Sequence, residues 1–306
     1  MMKYYLAPLE GITTYIYRRA YHTYFHPMDK YFIPFLSPHM KKGFTTKELR
    51  EIAPENHMGM RTIPQILTNH AQDFIRTVQK LEELGYDEVN LNLGCPSKTV
   101  VSKGRGSGFL AKPEELDRFL DEIYANVKVK ISIKTRLGKY QPDEFEWLLS
   151  IYNQYPVEEL IIHPRVQQDY YKNTPNYEVF GEALKNSRNP VCYNGDLFRT
   201  EDVRRLEQRF PEVSTIMLGR GIIYNPGLVS EMEDGDKLDK NRLRQFHDQI
   251  YDEYQSLNMG ERNVLFKMKE IWCYMGHLFP DCEKPLKKIK KAERMSKYEE
   301  AVREIL

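Results

Sequence analysis

One cysteine stands in the stretch Leu91 to Leu110, LNLGCPSKTVVSKGRGSGFL, among four glycines and no acidic residue. A thiol with an ordinary pKa of about 8.5 still carries its proton at neutral pH, so Cys95 suits general acid chemistry without tuning. The surrounding glycines predict a mobile loop that opens for a large substrate and closes for the reaction. Other side chains with chemical uses recur at intervals: Gln65, Asn92, Lys134 and Arg136, His163 and Arg165, and Asn194. A lone histidine or asparagine is more often structural than catalytic. A series of polar groups at successive strand ends fits a bland core poorly.

The elements that must position these groups alternate. Short apolar or β-branched runs start at Tyr4, Tyr31, Thr62, Glu88, Val129, Glu159, Pro190 and Ser214. Between several of them lie helical stripes: Phe74, Val78 and Leu81, ending on Gly85; and Leu116, Phe119, Leu120 and Ile123 after Pro113. TEDVRRLEQRFP repeats the scheme, with Thr200 expected as N-cap and Pro211 as stop. Eight strands alternating with helices favour a closed (β/α)8 TIM barrel over an open doubly wound sheet, which has the same local signature. After EDGDK only helical period remains. The expected division is therefore a barrel over residues 1–236 and an all-helical domain over 237–306.

In such a barrel the chemistry gathers at the C-terminal strand ends, so Gln65, Asn92, Cys95, Lys134, Arg136, His163, Arg165 and Asn194 are expected to converge on one mouth. Asn194-Gly195-Asp196 and Gly219-Arg220-Gly221, after strands seven and eight, lie where barrels cradle a phosphate. A G-R-G triplet alone also fits an ordinary tight turn. With a phosphate there, a lysine on strand five suits the electron-rich pyrimidine edge of a reduced flavin.

The ordered set APLEGIT, PQIL, NLNLGCPSKTVVSKGRGSGFL, IKTRLG, IIHPR, CYNGD and MLGRGIIYNP resembles the dihydrouridine synthase family of flavin-dependent tRNA-modifying enzymes. The resemblance spans about residues 4–228 and implies an FMN-bound barrel that reduces the C5=C6 bond of selected uridines in tRNA, with NADPH reloading the flavin. It implies Cys95 as the acid that protonates uracil C5. It sets Asn92, Arg136 and Tyr171 at the target base, Lys134 and Gln65 at the flavin pyrimidine, Pro8 and Leu9 along the ring, and His163 nearby. Asn194, Gly195, Asp196, Gly219, Arg220 and Gly221 fall to the cofactor side. Two residues depart from the family pattern: Pro164, where glycine is usual, and Phe109, where a small residue is common.

Charge supplies a second argument for RNA. The formal net charge is only +1, yet Lys284 to Lys297 holds seven basic residues. On one continuous helix Lys287, Lys291 and Arg294 share a face at i, i+4 and i+7, and that face is the expected phosphate-backbone footprint; the alternative is a solvated helix side. Four cysteines without any C-x-x-C pair suggest neither a zinc site nor a disulfide framework, and no metal is expected. The start lacks a secretory pattern and no run of eighteen apolar residues occurs, so a cytoplasmic protein off the membrane, acting as a monomer, is expected. Three rivals stand beside the tRNA reductase. A small-molecule FMN barrel reductase of the dihydroorotate dehydrogenase kind has little need of the basic region. A non-catalytic RNA-binding protein has little need of Cys95, Asn92, Lys134 and His163 together. A metal-dependent hydrolase lacks its ligand cluster.

Overall fold

The computed structural model describes residues 2–38 and 43–306. Eight parallel strands close into a barrel in chain order: β1 (Lys3–Leu6), β2 (Lys30–Leu36), β3 (Thr62–Ile66), β4 (Glu88–Leu93), β5 (Lys130–Gly138), β6 (Leu160–Val166), β7 (Val191–Asn194) and β8 (Thr215–Leu218). β8 returns to β1, with Tyr4 beside Ile216 and Leu6 beside Leu218. All eight expected strands form. Parallel strands covered on both faces read as nearly continuous apolar runs, and β4, β6 and β8 are buried along their whole length.

Helices follow the strands as α1 (Tyr15–Tyr24), α2 (Thr46–Ile52), α3 (Ala71–Glu83), α4 (Lys98–Val101), α5 (Pro113–Asn126), α6 (Glu144–Tyr152), α7 (Tyr177–Asn186) and α8 (Thr200–Arg209). The expected stripes on α3 and α5 are their buried faces. Gly85, just past α3, takes a φ of +89°, a conformation that side-chain-bearing residues avoid. At α8 the expectation shifts by one residue: Thr200 is the first helical residue and Arg199 the N-cap. The Asp202 carboxylate does the capping, accepting from the amides of Phe198 and Arg199 at 3.0 Å each. An acid in the third helical position takes over the role assigned to a hydroxyl.

After β8 the chain is helical: α9 (Arg220–Tyr224), α10 (Leu228–Glu233), α11 (Lys240–Ser256), α12 (Glu261–Met275), α13 (Glu283–Lys291) and α14 (Met295–Arg303). Their shared core is built round Tyr298, whose hydroxyl receives the Trp272 indole N–H at 2.8 Å and meets His247 at 2.6 Å. α11 lies along α1, the first helix of the barrel. Phe246 sits edge-on to Tyr17 and Phe25, at centroid distances of 5.4 and 5.2 Å, and Thr14 bonds to Tyr254 at 2.8 Å. Lys267 on α12 donates to the Gly11 carbonyl at 2.9 Å, tying the β1–α1 loop to the same region. Among the described residues no helix is long and apolar enough to cross a membrane, and no cluster of three metal-ligating side chains occurs.

Below the mouth the barrel interior is apolar, a layer of Tyr5, Ala7, Phe32, Ile63, Ile161, Cys192 and Met217. Its floor is ionic: Lys30 and Arg61 bind Glu88 at 2.9 and 3.0 Å, and Tyr5 donates to Glu159 at 3.0 Å. Polar side chains above that layer therefore face one opening.

Candidate active site

A cavity of about 180 Å³ lies at the C-terminal ends of the strands. Of the barrel residues singled out from sequence, Pro8, Leu9, Gln65, Asn92, Cys95, Lys134, Arg136, His163, Tyr171, Asn194, Gly195, Asp196, Gly219, Arg220 and Gly221 border it, while Arg165 does not line it but bonds to two residues that do, His163 and Asp196. Strand tilt and parallel register bring them together. Asn92 on β4 is beside Lys134 on β5, and Arg136 is beside His163 on β6.

The thiol is held from two sides. The Asn92 side-chain oxygen accepts from the amides of Gly94 at 3.1 Å and Cys95 at 3.0 Å, while its Nδ2 donates to Gln65 at 2.7 Å. Gln65 donates in turn to Asn90 at 2.7 Å, and Asn90 to Ser132 at 3.0 Å, so a chain of buried amides crosses the barrel to the cysteine turn. From the other side Ser107 donates through both its amide, at 3.1 Å, and its hydroxyl, at 2.8 Å, to the Cys95 carbonyl.

The glycine-rich segment, expected from its composition to be a mobile loop, is exposed at Ser97–Thr99 and at Ser102 and Lys103 and packed at its C-terminal end. Residues Gly106–Ala111 form a 3₁₀ turn, and Gly106 through Leu110 are buried. A side chain at Gly106, whose φ is +54°, would stand 2.9 Å from the Cys95 carbonyl, and one at Gly108 would stand 2.8 Å from the Val101 carbonyl. These glycines permit close packing behind the thiol rather than opening. Phe109 anchors the turn edge-on against Phe119 at 5.5 Å.

Arg136 is 1% exposed and spends its donors on backbone: Gly94 at 2.9 Å, Val166 at 3.0 Å and Tyr170 at 2.8 Å. It clamps the cysteine turn to the end of β6. Tyr170 accepts this bond from a left-handed conformation, φ 50°, rare outside glycine. That turn projects the half-exposed Tyr171 over the mouth, its ring 4.5 Å from the Arg220 guanidinium and 5.4 Å from that of Arg136.

Lys134 has no acidic partner within ion-pair reach among the described residues. Burial, reinforced by the charge of Arg136, pulls its pKa down to about 8. Burial pushes the Cys95 thiol above its ordinary value, against the opposing pull of the Ser97 amide and the nearby Arg136 and Lys134. The thiol therefore carries its proton at neutral pH.

Across the mouth, Asp196 receives Arg220 at 2.5 Å and both terminal nitrogens of Arg165. Its carboxylate orients two guanidinium groups. The glycines nearby serve chain packing: a side chain at Gly221 would overlap the Leu197 carbonyl at 1.8 Å, and one at Gly195 would meet the Tyr193 hydroxyl at 2.3 Å. Pro164 lies where the β5–β6 register shifts, a place at which the missing N–H costs no ladder bond.

A family model described as dihydrouridine synthase (Dus) matches residues 5–304. The chain belongs to the dihydrouridine synthase family. Among relatives, a probable tRNA-dihydrouridine synthase of Staphylococcus aureus is 27% identical over 279 residues, 87% of this chain and 83% of that protein. tRNA-dihydrouridine synthase B of Pasteurella multocida is 26% identical over 231 residues, 75% of this chain and 68% of that one. Among solved structures, histamine dehydrogenase from Rhizobium sp. 4-9 shares the fold at a TM-score of 0.59 and 10% identity, over 76% of this chain and 46% of that one. A variant of NCR from Zymomonas mobilis matches at 0.51 and 13%, over 80% and 90%.

In this member of the family the basic residues from Lys287 onward sit differently from the single helical face expected. α13 ends at Lys291, and Arg294 is the N-cap of α14. The chain turns at Ala292, which is buried and whose carbonyl accepts from Lys269. Lys287, Lys288, Lys291, Arg294 and Lys297 nevertheless border one hollow between the two helices. Lys287, Lys288 and Lys297 pair with Glu283, Glu304 and Glu300. Lys291 and Arg294 have no acidic partner among the described residues. Thr13, Asn90, Ser132 and Ser107 complete the site without having been singled out from sequence. The Thr13 hydroxyl fixes the Pro8-Leu9 turn, accepting from the Leu9 amide at 2.8 Å and donating to the Ala7 carbonyl at 3.1 Å. Alternation along a strand is the signal that marks Asn90 two residues before Asn92.

Proposed function

We propose that this chain is a tRNA-dihydrouridine synthase that reduces the C5=C6 bond of particular uridines in tRNA, with bound FMN and with NADPH as reductant. The observation that carries the reading is the Cys95 thiol, on a turn clamped by Asn92 and Arg136, lining one cavity with Lys134, which has no acidic partner among the described residues. Lys134, Arg136, Arg165 and Arg220 outnumber Asp196 and Glu10, and Glu10 is matched by Lys47 at 2.7 Å. The surplus suits an anionic guest, and a partly buried cation lacking a counter-ion suits one whose ring becomes negative.

Lys134 and Gln65 would hold the pyrimidine part of FMN, Pro8 and Leu9 its ring, and Arg220 with the Gly195 and Gly219 turns its phosphate. Bound there, FMN supplies the hydride that reaches uracil C6. Reduction at C6 leaves an electron pair at C5, and the Cys95 S–H bond breaks as the C5–H bond forms. The thiolate left behind lies in the field of Lys134 and Arg136, and solvent returns its proton. Asn92 and Arg136 hold the cysteine turn, and since both line the cavity and keep N–H groups beyond the bonds already made, they also reach the base. Tyr171 offers the target base a half-exposed ring at the mouth. The base must leave its stack to enter, and the hollow bordered by Lys291 and Arg294 holds the RNA while it does.

The test is single-turnover oxidation of the NADPH-reduced protein by unmodified tRNA, with dihydrouridine counted in the product. Rapid, tRNA-dependent oxidation is expected. Oxidation by free uridine or dihydroorotate at comparable rates, with tRNA inert, would transfer the site to the small-molecule reductases.

A further inference from the structure

Beside the cavity stands a residue to which the proposed reaction gives only a charge. Arg165 is 2% exposed, and its Nη1 lies 2.9 Å from His163 Nε2. The two residues stand at i and i+2 on β6, the spacing that puts side chains on one face of a strand. A guanidinium has donors only, so the contact requires a bare, accepting Nε2.

Arg165 has no freedom to turn away. Its Nε donates to the Asn173 carbonyl at 2.6 Å, and its terminal nitrogens bind both oxygens of Asp196. Burial, with Arg136, Lys134, Arg165 and Arg220 around the ring, disfavours the imidazolium, which would also aim an N–H at an N–H. One neutral form satisfies the contact.

We propose that Arg165 is a positioning residue that locks His163 in the tautomer protonated on Nδ1, making His163 a hydrogen-bond donor to the guest of the cavity. No described residue accepts from Nδ1, so that N–H is the ring's remaining polar group. The guest must present an acceptor to it: a carbonyl oxygen or an unprotonated ring nitrogen. His163 then neither takes nor gives a proton during turnover. This deepens the reading of the same site, but its test needs neither FMN nor tRNA.

The experiment is long-range 1H–15N correlation on cofactor-free protein with 15N-labelled histidine, His163 being assigned through H163Q. In wild type, His163 Nε2 is expected at the unprotonated shift and Nδ1 at the protonated one, unchanged from about pH 6 to 8, where a free imidazole titrates. R165M should move the ring to a tautomer mixture or to Nε2–H. R165K, which keeps a donor, should retain the wild-type pattern. An Nε2–H pattern in wild type, or an unchanged pattern in R165M, overturns the proposal. Where R165M does not fold, the wild-type pattern alone decides.

Discussion

The side-chain oxygen of Asn92 receives the backbone amide of Cys95 at 3.0 Å, so the position of the thiol is set in part from inside strand β4, together with Ser107 of the loop that follows. Asn92→Ala removes the acceptor of two amides and the donor to Gln65 together. Stability should fall by about 1–3 kcal/mol, the range for buried polar groups left unpaired, as read by urea denaturation. The tRNA-dependent oxidation rate should fall as well. An Asn92→Ala protein as stable as wild type would mean that water replaces all three bonds.

Cys95→Ala should leave fold and flavin reduction intact while slowing oxidation by tRNA by roughly 10²–10⁴-fold, the usual loss for a general acid. Because burial raises the thiol pKa, the acid form persists through neutral pH. The wild-type rate should therefore decline only as pH climbs through the alkaline thiol range. Cys95→Ser, with a hydroxyl that does not ionise there, should be slow and lack that decline. A matching alkaline decline in Cys95→Ser would assign it to another group.

Lys134 makes a prediction about stability without cofactor. Its folded pKa is about 8, below the ordinary lysine value of 10.5, so between those values the unfolded chain binds more protons than the folded one. Stability then rises with pH across that window. Relative to wild type, cofactor-free Lys134→Met should be more stable below about pH 8, by on the order of 3 kcal/mol, and the advantage should shrink toward pH 10. Paired urea melts at several pH values measure this. A pH-independent difference would place the ammonium in water.

Gly106→Ala puts a methyl group 2.9 Å from the Cys95 carbonyl at a φ of +54°. The expected cost is about 1–3 kcal/mol from overpacking and strain. Turnover should fall with flavin content unchanged, since the turn supports the thiol. Improved turnover would restore the view of this segment as a flap.

Exchange of Lys287, Lys291 and Arg294 for glutamate should weaken tRNA binding steeply and flatten the slope of log affinity against log salt by about 0.7–0.9 for each phosphate no longer neutralised. Flavin content should stay the same. Equal affinities at all salt concentrations would reduce this surface to solvation.

Much of this molecule can be read along the chain because its determinants are local. Strands such as Glu88–Leu93 are buried on both faces, stripes such as Phe74, Val78 and Leu81 are periodic, and residues at parallel strand ends must meet. What stays hidden depends on groups distant in sequence. Whether Gly106 bends or packs is decided by Cys95 eleven residues earlier, and the task of Arg136 by carbonyls after β4 and beyond β6. Arg294 leaves its expected face because the chain turns at a buried alanine, a signal too small for periodicity to register.

The interlock of α1 with α11 bears on how such proteins are remodelled. Tyr17, Phe25 and Thr14 belong to the barrel by chain position, yet Phe246 and Tyr254 complete their surroundings. The barrel is thus not a cassette that can be excised at the last strand or fitted with a relative's helices unaltered. A graft meant to redirect substrate choice has to carry α1 with it, and the segment from Leu9 to Gly11 moves too, because Lys267 holds it. The helical region and the lip of the cavity are joined through one shared helix and the Lys267 bond, so a change in α11 or α12 reaches the β1–α1 loop.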